Sequence, residues 1–101
     1  MPTKDYNEIL HEELQDIEEA AEYLTACFED SEEVFLQGLR KVVEAHGGIG
    51  VLAENSSLNR ESLYKMLSEK GNPRLSSLST ILQEIGIQLQ FAPRDDEKEA
   101  A

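Results

Sequence analysis

Along most of this chain, apolar residues recur at intervals of three and four; only near the end do they alternate. Tyr6, Ile9, Leu10 and Leu14 outline a short first helix. A firmer stripe follows. Ile17, Ala20, Ala21, Leu24, Cys27 and Phe28 keep helical spacing, and Glu18, Glu19, Glu22 and Glu29 take the opposite side. The DIEE run at 16–19 has the form of a capping box, in which Asp16 accepts a backbone N–H and Glu19 reaches back. A second such box, DSEE at 30–33, predicts a helix to about Ala45 with Phe35, Leu36, Leu39, Val42 and Val43 inward. Gly47 and Gly48 supply the positive φ that ends helices.

Next come a short helix over 50–56 carrying Leu52 and Ala53, a tight turn at Ser57 and Leu58, and an Asn59 N-cap. The helix that Asn59 starts is predicted to reach Ser68 or Glu69, where Gly71, Asn72 and Pro73 break it. Leu75, Leu78, Ile81, Leu82 and Ile85 form the inward stripe of a last helix, closed by Gly86. Ile87, Leu89 and Phe91 then alternate with Gln88 and Gln90, which predicts a half-buried strand over 87–91. A lone strand leaves its backbone groups unmet, so its partner is expected in another molecule, as in a dimer.

Composition narrows the class without changing this outline. A chain of 101 residues, 40% apolar and 30% charged, is one globular domain with short appendages. No apolar run is long enough to span a membrane, and the N-terminus lacks a secretory leader. One cysteine, Cys27, forms no internal disulfide and lies on an apolar stripe, so a reducing, cytoplasmic setting is expected. His11 in HEEL lacks the second histidine of a zinc-protease helix, His46 sits at a helix end, and GGIG lacks the Lys-Ser/Thr of a phosphate loop. The glutamate pairs have no apolar surroundings to raise a pKa. No catalysis, cofactor, metal or small-molecule substrate is therefore expected.

Charge does change the picture. The formal net charge is −12, yet it is laid out unevenly. Residues 1–34 hold twelve acids against one lysine, and the tail 95–101 balances to −3. Residues 59–74 hold Arg60, Lys65, Lys70 and Arg74 against Glu61 and Glu69. An acidic front half suits a basic protein partner, although acidic helices also simply keep a small protein soluble.

The basic centre fits a helix-turn-helix. Two short helices that cross steeply need a small residue where they touch, which Ala53 supplies. Ser57 and Leu58 fill the turn, and Leu63 and Met66 anchor the second helix. Its outward side chains form hydrogen bonds, as major-groove reading requires. Asn59, Arg60, Glu61, Tyr64 and Lys65 are the candidate base-reading residues, and Ser68, Lys70, Asn72 and Arg74 the candidate phosphate contacts. A solvated face on an ordinary bundle is the competing reading.

The segment GVLAENSSLNRESLYKMLSEKGNPRLSSLSTIL resembles the helix-turn-helix of addiction-module antidote proteins, related to phage-repressor-type (Xre/HigA-like) regulators. AAEYLTACFED and FLQGLRKVVEAHGG extend the resemblance to residues 5–90. Ser57 stands where such domains place Gly, and Gly50 where a Ser or Thr cap is usual. The resemblance implies a DNA-binding antitoxin that autorepresses its operon and neutralises a RelE/ParE-like toxin, and a homodimer is expected over a palindromic site. The alternative is an interaction module that keeps the fold without binding DNA. The expected architecture is all-α: a five- to six-helix bundle containing the helix-turn-helix, with one short C-terminal β-strand. Acidic helices at 1–30 pack on a DNA-binding domain at 31–86, followed by the strand at 87–91 and a flexible acidic tail at 92–101.

Overall fold

The computed structural model describes residues 5–95. Six helices are found there: α1 (Tyr6–Glu13), α2 (Ile17–Asp30), α3 (Glu32–Ala45), α4 (Gly48–Asn55), α5 (Arg60–Met66) and α6 (Leu75–Ile85). Each of the first three starts at a short polar side chain that accepts from its own first turn, where helical N–H groups have no other partner. Asp5 takes the Glu8 N–H, Asp16 takes those of Glu18 and Glu19, and Ser31 takes that of Val34. The Asp16 N–H already donates to the Glu13 carbonyl at 3.1 Å, so Glu19 has no donor to reach back to.

Ser31, not Asp30, begins α3. With φ −168° and ψ 165° it ends α2 by donating its N–H to the Cys27 carbonyl and starts α3 through its Oγ. One residue thus turns the chain between two fourteen-residue helices. Their close approach is set by Gly38, where a Cβ would come within 2.7 Å of the Cys27 Sγ and 3.2 Å of the Tyr23 ring.

One apolar core draws on all six helices. Leu39, Val42, Leu63 and Ile81 are completely buried in it, and Leu14, Ala20, Leu24, Leu52 and Leu67 join them. α3 is the hub: it packs against α1, α2 and α4, and α4 in turn packs against α5 and α6. Two polar ties cross this arrangement. The His46 Nε2, at the end of α3, donates to the Leu14 carbonyl at 2.8 Å, and the Arg40 guanidinium, also on α3, donates to the Leu67 carbonyl.

Several expectations need correcting. Among the described residues there is no strand, so the architecture is six helices without the expected β-strand at 87–91. Helix α6 ends instead in a left-handed Gly86 (φ 99°), whose N–H and that of Ile87 return to the Gln83 and Leu82 carbonyls. This closure fixes Ile87 against the core, while Leu89 and Phe91 remain exposed. Alternation makes a strand only where a neighbouring ladder takes up the backbone groups, and no described segment supplies one. Helix α4 begins at Gly48 rather than Gly50, and α5 stops at Met66 rather than Ser68 or Glu69. Leu75, expected inward, is 69% exposed because it is the first residue of α6 and overhangs the stripe of Leu78, Ile81, Leu82 and Ile85. The tail expected at 92–101 lies, from residue 96, outside the described residues.

Candidate nucleic-acid interface

A seven-residue helix is too short to persist in water by itself, so α5 must be held in shape by what surrounds it. Three supports do this. The Asn59 Oδ1 accepts the Ser62 N–H at 2.7 Å and caps the first turn. Leu63 and Leu67 are buried, and Met66 and Leu58 pack against the core beside them. At the far end Leu67, the C-cap, gives its carbonyl to Arg40, a cation where the negative end of the helix dipole favours one. Sequence reasoning missed Arg40: a contact across 27 positions leaves no periodic signal.

The link from α4 is the segment 56–59, in which the Ser56 Oγ accepts the Leu58 N–H at 3.2 Å. Ser57 carries no strain, since among the described residues only Gly47, Gly48 and Gly86 have positive φ. The missing turn glycine is therefore accommodated. Ala53 is half-buried against the core on α4. Gly50 lies inside α4, whose N-cap is Gly47 with no side-chain bond, so a Ser or Thr there would not cap this helix.

With one face of α5 anchored, the remaining side chains are outside. Arg60, Glu61, Tyr64 and Lys65 are all exposed, as is Asn59. The Arg60 guanidinium lies 5.9 Å from the centroid of the Tyr64 ring, one turn along, so the two long side chains steady each other. Asn59 has spent its carbonyl oxygen on the cap and retains its amide N–H groups. Ser68 donates its hydroxyl to the Lys65 carbonyl at 2.8 Å, which leaves it only acceptor capacity, the wrong polarity for a phosphate oxygen.

Lys70, Asn72 and Arg74 are exposed on the connection from α5 to α6. That connection folds tightly under the end of α5. The Gly71 N–H donates to the Ser68 carbonyl at 2.9 Å, and a side chain at 71 would overlap the Met66 carbonyl. Gly71 is thus required by close approach, which holds the start of the connection against the last turn of α5.

Among the described residues no helix is long and apolar enough to cross a membrane. Nor does any group of three His, Cys, Asp or Glu side chains there stand ready to hold a metal ion.

Comparison with known proteins identifies the family. The model of a family described as "probable addiction module antidote protein" matches residues 5–93, which include all six helices. An uncharacterised protein of Haemophilus influenzae is 31% identical over 80 residues, covering 78% of this chain and 81% of its own length. No solved structure gives a significant match. The family match extends far beyond the basic segment, through the acidic helices as well, and the chain belongs to the family of addiction-module antidote proteins.

Proposed function

We propose that this chain is the antitoxin of a toxin–antitoxin module, that it binds double-stranded DNA as a homodimer through an Xre/HigA-like helix-turn-helix made by α4 and α5, and that it represses its own operon in the cytoplasm. Family membership supports the antidote role and implies a toxin partner, read here as RelE/ParE-like. One observation carries the DNA reading: α5 buries Leu63 and leaves Arg60, Glu61, Tyr64 and Lys65 exposed together on its outer face.

Each group has a role matched to its chemistry. Arg60 donates two N–H groups to a guanine edge, and Glu61 accepts from a cytosine amino group. Tyr64 holds Arg60 in place and meets a base edge or phosphate. Lys65, Lys70 and Arg74 neutralise phosphates, and the backbone around Asn72 adds donors. Two-fold symmetry spaces two such helices by about 34 Å, one turn of duplex. Ser68, its hydroxyl proton committed to the Lys65 carbonyl, contributes to phosphate binding only if that bond is exchanged.

The formal charge of −12 favours a second reading, an interaction module that keeps the fold without touching DNA. Fluorescence anisotropy separates the two, using duplex from the chain's own promoter beside a scrambled duplex at two salt concentrations. Promoter preference that weakens with salt is the expected result. Equal failure on both duplexes, with or without the partner protein present, leaves the interaction module.

A further inference from the structure

Phe28 belongs to the apolar stripe of α2, yet it is 63% exposed. Its ring is not loose. It meets Phe35 of α3 edge to face, with centroids 5.4 Å apart and planes at 88°, so a large apolar group is presented in one orientation beside the Ser31 corner. Glu29, Asp30, Glu32 and Glu33 flank that corner and are all exposed. No lysine or arginine occurs from residue 5 to residue 39, so no basic side chain of the local sequence neutralises them.

We propose that this α2–α3 corner is the surface that seats the toxin, with Phe28 as the apolar anchor and Glu29, Asp30, Glu32 and Glu33 as its acidic rim. The proposal rests on the antitoxin reading and names the partner's chemistry: a basic protein surface with a hydrophobic recess. The charge decides among possible occupants. Nucleic acid and anionic lipid are repelled by this rim, and a second copy of the same corner would bring eight carboxylates together. A cationic protein is attracted over distance and then gains from burying the ring, the usual combination of charged rim and aromatic anchor.

Position supports the assignment too. Arg40, the residue of α3 that reaches α5, lies eight residues beyond Glu32, about 12 Å along the helix axis. A partner on the corner therefore need not cover the reading face of α5.

The test is to titrate the purified chain with the basic protein encoded by the adjoining gene, comparing Phe28→Ser, the double variant Glu29→Lys/Glu32→Lys, and Glu84→Lys on α6 as a charge control. Phe28→Ser should raise the dissociation constant at least tenfold. The charge reversal should slow association and flatten its salt dependence, and Glu84→Lys should bind like wild type. Thermal midpoints report folding, and if Phe28→Ser proves unstable the charge-reversal variant decides alone. Wild-type binding that both folded corner variants match within twofold overturns the proposal and leaves the antitoxin reading standing. Absence of any complex with wild type overturns that reading and the proposal with it.

Discussion

Two helix pairs in this chain use their residues differently. α2 and α3 have fourteen residues each, joined by Ser31 alone, and they lie close enough that Gly38 has no room for a methyl group against Cys27. α4 and α5 have eight and seven residues, joined by the segment 56–59. The long pair is supported along its length by contact with its neighbour, so its solvent side is free to carry charge. The short pair has too few turns for that and is fixed at points: the Asn59 cap, the buried Leu63 and Leu67, and the Arg40 tie. Stability and surface chemistry are separated in both, by opposite means.

Removing an anchor of the short pair should produce the largest effect. Leu63→Ala is expected to cost about 2–5 kcal/mol, read as a shift in the denaturant midpoint, because Leu63 is completely buried. In the long pair, Gly38→Ala should cost roughly 1–3 kcal/mol by overpacking. Much of that loss should return in the double variant with Cys27→Ala, whose sulfur is the atom in the way. A simple sum of the two single losses would show that the close approach is not what limits position 38.

Arg60→Ala should leave the midpoint where it was and cost on the order of 1–3 kcal/mol in promoter affinity, with specificity relaxed at one base position. Loss of stability in this variant would blur the division between anchored and outward faces. Asn59→Ala should cost about 1 kcal/mol of stability through the lost cap. The last effect is confined to alkaline pH. Burial, with Cys27 beside it, pushes the Tyr23 phenol up to about 12. The stability contributed by its neutral form is therefore complete below the unfolded value near 10 and fades as pH climbs from there toward 12. Tyr23→Phe should remove that slope from a stability–pH curve.

Much of this architecture is legible without coordinates where the signal is local. The stripe Ala20, Leu24 and Cys27, the Asp16 cap and the Gly86 stop each involve residues within one or two turns, and each appears as expected. That Arg60, Glu61, Tyr64 and Lys65 lie outward on α5 is readable for the same reason: spacing on one short helix determines which side chains share a face. What spacing cannot tell is how far a stripe is covered. Tyr6, Ile9, Phe28 and Leu75 keep helical period with buried neighbours and are exposed all the same, because the bundle ends before it reaches them. The alternation at 87–91 misled for a related cause, since a period of two specifies sidedness but not a pairing partner. Arg40 and His46 reach carbonyls 27 and 32 residues away, and no pattern along the chain announces such a tie.

The acceptor in the Arg40 tie is a main-chain oxygen, and that has an evolutionary consequence. Every amino acid offers the same carbonyl at position 67, so a change there cannot compensate for the loss of the guanidinium at 40. In a set of relatives the two positions should vary independently, with a long cationic donor kept at 40 beside any apolar residue at 67. Covariation would then pass over the polar bond that ties α3 to the end of α5.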